Sequence, residues 1–284
     1  MNYQTKPYQV VKSGLKFKKG QDRLVGMVKP DTHTSFPGDK SGGKSAKAWK
    51  CFLLAVRTVK PDFFIDIGDA CEWMSVSHWE HKLKGRPPFR YVAKELERDI
   101  KCVKQDLREL DKALPKTCQK YFIQGNHDLW VDRFLDEMKD VETDENMILK
   151  DDITFAKLME FEKYNWQFYE HGRWVKFGKL YVSHGTNAKG VHHLRNMVLR
   201  MGVSVMYGHV HDMGALAVGS LGGTHKAFSV GCLADMDKPF LRGDMTNWEH
   251  GFSVIDIKRN GNFQVNQVPI YAGECKVYGK VIKA

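Results

Sequence analysis

The chain has 284 residues, 42% of them hydrophobic, with nine prolines and a formal charge of +10. That is enough apolar material for one large core and argues against intrinsic disorder. No apolar stretch approaches the roughly 20 residues that span a bilayer, the first six residues lack the apolar run of a secretory signal, and six scattered cysteines without a Cys-x-x-Cys pair exclude a disulfide scaffold. A reduced, soluble, cytoplasmic protein with no membrane partner is expected.

The charge is concentrated. Residues 1–60 hold thirteen Lys or Arg against three Asp or Glu, the rest of the chain is balanced, and residues 121–180 carry a net −5. A basic N-terminal face suits the steering of a polyanion such as DNA or RNA, and equally suits plain solvation.

Residues 1–20 read as a basic peripheral arm or edge strand. Leu24 to Val28 reads as the first core strand, running through Lys29-Pro30 into Asp31-Thr32-His33. Gly38 to Ser45 match Gly-x-x-x-x-Gly-Lys-Ser literally, but no strand precedes Gly38 as a phosphate loop requires, so a chance match is favoured. A weaker role is kept for Lys40, Lys44 and the loop N–H groups as contacts to a substrate phosphate. Trp49, Phe52, Leu53, Val56 and Val59 predict a helix over 46–59. Phe63 to Ile67 form a buried strand delivering Gly68-Asp69, and residues 73–90 are irregular. Val92, Leu96, Ile100, Val103, Leu107, Leu110 and Leu114 mark a long amphipathic helix.

Tyr121 to Ile123 form a third strand, which ends at Gly125-Asn126-His127-Asp128. Residues 131–170 are acidic and read as a helical cap or insertion. Residues 174–182 read as a hairpin about Gly178-Lys179 that carries Ser183-His184-Gly185. A short basic helix over 190–201 precedes the strand 203–207 and then Gly208-His209-Val210-His211. Strands near 227–230, 252–257 and 263–268 are expected to supply a second sheet, and 276–284 a tail. Strand–helix alternation early and hairpins late predict an α/β fold, two face-to-face mixed β-sheets flanked by helices, over a domain spanning 21–275.

Five polar clusters, at 31–33, 68–69, 125–128, 183–185 and 208–211, follow strand-like runs, where a rigid sheet aims loop residues into one crevice. They offer three carboxylates, one amide and five imidazoles, an oxygen and nitrogen inventory that suits two hard or borderline divalent ions. Asp31 and His33, one residue apart, lean toward one ion. Asp69, after a glycine that allows close backbone approach, is placed to bridge two.

The series Asp-x-His, Gly-Asp, Gly-Asn-His-Asp, His-Gly and Gly-His-x-His resembles the calcineurin-like metallophosphoesterase superfamily from about residue 24 to about residue 270. The resemblance implies a four-layer α/β/β/α sandwich. It implies one metal held by Asp31, His33, Asp69 and His211 and a second held by Asp69, Asn126, His184 and His209. His127 would be the imidazole near the leaving-group oxygen, paired with Asp128, and a metal-bridging hydroxide the nucleophile. Manganese is the favoured metal; zinc, iron, nickel or magnesium suit similar ligand sets.

Gly68-Asp69-Ala70-Cys71-Glu72-Trp73 lacks the arginine of the protein Ser/Thr phosphatase branch, and the third motif ends in Asp128 rather than Glu. Both departures point to the phosphodiesterase side, which includes the SbcD-like repair nucleases. A phosphodiesterase, with nucleic acid as one candidate substrate, is therefore expected. The alternatives are a phosphomonoesterase or nucleotide pyrophosphohydrolase and, from another class, a nucleic-acid-binding protein with a retired site. Secondary candidates are Glu72, as a support behind the bridging carboxylate or equally a surface carboxylate, Cys71 as a packed thiol, and His192 and His193 as exposed helix residues or phosphate contacts. Arg195, Arg200, Lys82, Lys84 and Arg86 are further phosphate contacts, and Trp73, Trp79 and Trp166 are stacking or core residues.

Overall fold

The computed structural model describes residues 9–39, 41–78, 81–82, 85, 87–139 and 153–284. The readings on residues 1–8, on Lys40, Trp79, Lys84 and Arg86, and on the middle of 131–170 fall outside the described residues.

Two six-stranded sheets carry the fold. In the first, β2 (Arg23–Lys29), β3 (Phe63–Asp66), β4 (Gln119–Ile123) and β5 (Trp166–Tyr169) run parallel in chain order. β11 (Gly251–Lys258) joins β2 antiparallel, and β12 (Phe263–Pro269) joins β11. The second sheet has the order β1 (Gln9–Lys12), β6 (Arg173–Phe177), β7 (Leu180–Ser183), β8 (Ser204–Tyr207), β10 (Gly223–Val230) and β9 (Met213–Ser220). Here β7, β8 and β10 are mutually parallel.

Alternation along the strands sorts the core into layers. Leu24, Val28, Phe63, Ile65, Tyr121 and Ile123 face Val175, Phe177, Val182, Met206 and Val230 across the gap between the sheets. Met27, Phe64 and Phe122 point the other way, into a second core with Trp49, Phe52 and Val56 of α1 (Ala46–Val59) and Leu107 and Leu110 of α2 (Phe89–Ala113). That core also takes in Val131 and Phe134 of α3 (Asn126–Lys139) and Phe155 of α4 (Phe155–Leu158). On the far face, Met197 and Val198 of α5 (His193–Met201) pack on Trp174, Val205 and Tyr207. Helix, sheet, sheet and helix thus form the expected four layers. No helix among the described residues is long and apolar enough to cross a membrane.

Three expectations need correction. The late strands do not form one sheet of their own, because β10 pairs with β8 while β11 pairs with β2. The stretch read as a cap ends in the main sheet, where β5 lies beside β4 and Phe155, Phe161 and Trp166 are buried in the helix-side core. The C-terminal tail is a hairpin, β13 (Glu274–Val277) with β14 (Lys280–Lys283). Its Cys275, Val277 and Ile282 bury against α1, with Cys275 Sγ 3.5 Å from Cys51 Sγ. The arm does supply an edge strand, since β1 pairs parallel with β6.

Candidate metal centre

Parallel strands end at the same edge of a sheet, so chain order translates into neighbouring loops. β2 leads to Asp31 and His33, β3 to Asp69, and β4 to Asn126 and His127; β7 and β8 of the facing sheet lead to His184 and to His209 and His211. The loops are laced together: the amides of Thr32 and His33 both donate to the Asp69 carbonyl, at 3.1 and 2.9 Å. Two motif glycines leave room for carboxylates. A Cβ on Gly125 would collide with Asp69 Oδ1, and one on Gly208 with Asp31 Oδ1. His33, Asp69, His209 and His211 all have φ between +46 and +68°. That left-handed conformation is uncommon for non-glycine residues and concentrates at functional sites.

The seven expected ligands come together in two groups. In the first, His211 Nε2 lies 3.1 Å from Asp31 Oδ2 and 3.1 Å from His33 Nε2, and His33 Nε2 lies 3.6 Å from Asp69 Oδ2. In the second, His184 Nε2 lies 3.2 Å from Asp69 Oδ2 and 2.9 Å from Asn126 Oδ1, with a His209 ring nitrogen within 4.8 Å. Asp69 faces both groups with the same oxygen, while its Oδ1 accepts the His127 amide at 2.8 Å. His184 Nδ1 donates to the Ile67 carbonyl at 2.8 Å, which fixes the tautomer and turns Nε2 toward the cluster.

The donor set fits divalent cations. Asp31 Oδ1 is buried without a hydrogen-bond partner, and the facing His33 and His211 nitrogens, 3.1 Å apart, can both turn lone pairs toward one cation. Burial disfavours charge on His184, yet the Asp69 and Asp31 carboxylates raise it to about 10. Burial likewise opposes ionisation of the two carboxylates, but the histidines hold Asp31 below, and Asp69 well below, the usual carboxylate range. The field at the cluster is one that attracts positive charge. Burial keeps the nearby thiols protonated, with Cys71 pushed well above its ordinary value and Cys232 up to about 12, so the set is oxygen and nitrogen only.

His127 stands beside the first group, its ring centroid 4.7 Å from that of His33. Its side chain keeps 19% of its surface exposed, against 5% for His33 and 1% for His184, so it is an imidazole an incoming molecule can reach. Its expected partner is corrected. Asp128 accepts from the Gly125 amide, the Ala70 amide and Trp73 Nε1, and burial together with the Asp69 carboxylate pushes it up to about 7. Adjacent residues at a helix start point to different faces, so Asp128 anchors the loop while His127 Nδ1 donates to the Glu72 carbonyl at 3.0 Å.

Glu72 is buried beside the centre, as a supporting residue and not a surface carboxylate. Its carboxylate lies 3.3 Å from His33 Nδ1 and 3.7 Å from His127 Nδ1. Buried Lys238 holds it, with Nζ 2.5 Å from Glu72 Oε1 and 2.8 Å from the Gly43 carbonyl. Burial works against that charge, but His33 and Lys238 keep Glu72 far below its ordinary value. Trp130 was also missed: its ring lies 4.0 Å from that of His127, at 30°. The i, i+3 spacing from His127 was the available signal for Trp130, whereas nothing in the sequence near Lys238 marks it.

Other candidates resolve differently. Ser45 caps α1 by accepting from the Ala48 amide, and Lys44 is paired with Asp106, so the Gly38–Ser45 string is a helix entry and not a phosphate loop. His193 is not an exposed helix histidine. It is buried, 2.8 Å from the Tyr207 hydroxyl and 2.7 Å from Asp212, while His192, Arg195, Arg200 and Lys82 stay at the surface. Trp73 and Trp166 are core residues. The Lys16 end of the basic segment lies away from the proposed ligands: the Lys16 amide donates to Gln119 Oε1 at the start of β4, whereas Asn126 follows its end.

No family profile and no curated protein matches the chain. It is similar in layout to several solved structures. One is Vps29 of Chaetomium thermophilum, with 10% identity, 87% of this chain and 97% of that one covered, and a TM-score of 0.35. Another is YfcE, a phosphoesterase from E. coli, with 14% identity, 87% and 100% covered, and a TM-score of 0.34. A dimetal phosphatase from Danio rerio shows 10% identity, 85% and 98% covered, and a TM-score of 0.39. Five separate motifs left open whether one carboxylate is reached from both sheets at once; Asp69 is, at 3.6 Å from His33 and 3.2 Å from His184.

Proposed function

We propose that the protein hydrolyses phosphodiesters with two divalent metal ions. The observation that carries this reading is the pair of ligand groups sharing Asp69, with a reachable imidazole at their edge. Asp31, His33, Asp69 and His211 would hold one ion, and Asp69, Asn126, His184 and His209 the other. Ions so held supply Lewis acidity and lower the pKa of water.

The chain's own residues do the rest. With Nδ1–H committed to the Glu72 carbonyl, His127 has Nε2 as the atom that exchanges a proton with the leaving oxygen. The two buried lysines beside these loops, Lys29 and Lys238, are already paired with Asp66 and Glu72. Neither is left to balance the second charge of a monoester, which favours a diester with a single negative charge. The oxygen and nitrogen donors favour manganese.

Metal-stripped protein supplemented in turn with Mn²⁺, Zn²⁺, Fe²⁺, Ni²⁺ and Mg²⁺ tests this with bis-p-nitrophenyl and mono-p-nitrophenyl phosphate. The expected result is metal-dependent turnover, highest with Mn²⁺ and with the diester, and abolished in Asp69→Asn. Turnover that survives both chelation and Asp69→Asn overturns the two-metal reading, and a clear preference for the monoester overturns the diester assignment.

A further inference from the structure

Helix α3 continues past His127 along one face. Trp130, Arg133, Phe134 and Glu137 follow at helical spacing and form one wall of a pocket of about 250 Å³. The other wall is built from the segment after Glu72 and includes His78 and His81. Trp130 belongs to the pocket and lies against His127, with the His78 ring at 5.9 Å and nearly perpendicular to the indole. Through Trp130 the pocket adjoins the imidazole that meets the leaving oxygen, and none of the proposed metal ligands lines it. Its volume is below the roughly 300–1,000 Å³ of drug-sized ligand pockets, which suits a single ring system. Burial, then the Arg133 guanidinium, lowers the pKa of His78.

We propose that this pocket is the leaving-group subsite and that it takes a nucleobase, carried on the departing nucleoside, against Trp130. The proposal rests on the phosphodiesterase reading and adds the substrate class to it. In the reaction a water oxygen bonds to phosphorus and that water gives up a proton to solvent. The bond from phosphorus to the leaving oxygen breaks with its electron pair on that oxygen, and His127 Nε2 donates the proton that completes the nucleoside hydroxyl. The other product is a phosphomonoester. The leaving base lies against the indole throughout, so its binding contributes to substrate affinity and to alignment of the leaving oxygen with His127.

The test uses the full chain with Mn²⁺ and three dinucleotides: thymidylyl-thymidine and its two analogues in which one sugar or the other is an abasic tetrahydrofuran. The departing hydroxyl keeps its chemistry in all three, and product analysis identifies the leaving side. Removing the leaving-side base is expected to lower kcat/KM about ten-fold or more, as loss of one base–aromatic stack does, while removing the other base has little effect. Trp130→Ala is expected to erase that difference and Trp130→Phe to keep most of it; Phe134→Ala, which leaves the His127 contact in place, is expected to shrink it. Equal kcat/KM for the base-bearing and abasic leaving sides in the wild type overturns the subsite while the phosphodiesterase reading stands. Turnover of bis-p-nitrophenyl phosphate with none of the dinucleotides cleaved overturns the nucleobase assignment. Failure on every diester overturns the parent reading as well.

Discussion

The two sheets contribute unlike chemistry to one centre. The first, through β2, β3 and β4, supplies both carboxylates, the amide and two imidazoles; the second, through β7 and β8, supplies only imidazoles. Two buried carboxylates on neighbouring loops repel each other, and the facing histidines hold both of them ionised. Asp69 stands at the seam, 3.6 Å from a histidine of its own sheet and 3.2 Å from one of the other. A cation held by either group would tie the sheets together. Metal binding is expected to stabilise the fold across the sheet–sheet gap.

Removing the seam breaks the comparison most severely. Asp69→Asn is expected to lower kcat at least about 10³-fold, since several kilocalories per mole of charge stabilisation are lost with the ions. It should also abolish the rise in Tm that Mn²⁺ gives the wild type, measured by thermal melts with and without chelator. A variant that still bound two ions by elemental analysis would falsify the bridging role. His127→Ala is the counterpart that leaves both ligand groups intact. It should cost about 10²- to 10⁴-fold in kcat, the usual range for a lost acid–base group, with metal content and Tm shift retained.

Glu72 and Lys238 sharpen the comparison from the side of the first sheet, because Glu72 approaches His33 and His127, which both follow strands of that sheet. Glu72→Gln is expected to cost about 10- to 100-fold in activity or metal affinity, as loss of an orienting partner does. Lys238→Met leaves a buried carboxylate without its cation and should destabilise the fold by about 3–5 kcal/mol in denaturant melts. The double variant Glu72→Gln/Lys238→Met should recover much of that stability and none of the activity. Activity recovering with stability would reduce the pair to a packing role.

Much of this centre was legible in the sequence, and the residues show why the remainder was not. All seven proposed ligands follow strand-like runs, and a strand end fixes where a loop residue stands whatever the loop's own conformation. The helix 46–59 was legible for a similarly local reason: its periodicity is bounded by a Ser45 cap and by Lys60 in a left-handed conformation. Sheet membership is not local. Phe228 on β10 and Phe252 on β11 lie in similar apolar runs, yet one faces Phe263 in the inter-sheet core and the other packs on Phe52 under α1. Asp128 and Glu72 exchanged roles for the same reason. The resemblance implied Asp128 as the partner, while the loop's return path brought Glu72, 55 residues away, to His127. Lys238 comes from a still more distant segment, and only the closed fold shows it.

The smallest expected effect concerns the two ends of the first sheet. The ligands gather where its parallel strands end, and the basic segment near Lys16 and Lys18 packs where they begin, against Gln119 and Arg259. Five residues of β4 at about 3.3 Å each separate the two ends by about 16 Å, which is about twice the screening length at physiological ionic strength. Charge at the far end therefore contributes little to the capture of an anionic diester. Lys16→Glu/Lys18→Glu is expected to change kcat/KM on bis-p-nitrophenyl phosphate less than about two-fold at 0.15 M salt, and to leave the slope of log kcat/KM against log salt unaltered. A steeper loss at low salt would show that the basic end steers substrate after all, and the sequence-level link between net charge and partner would then regain its force.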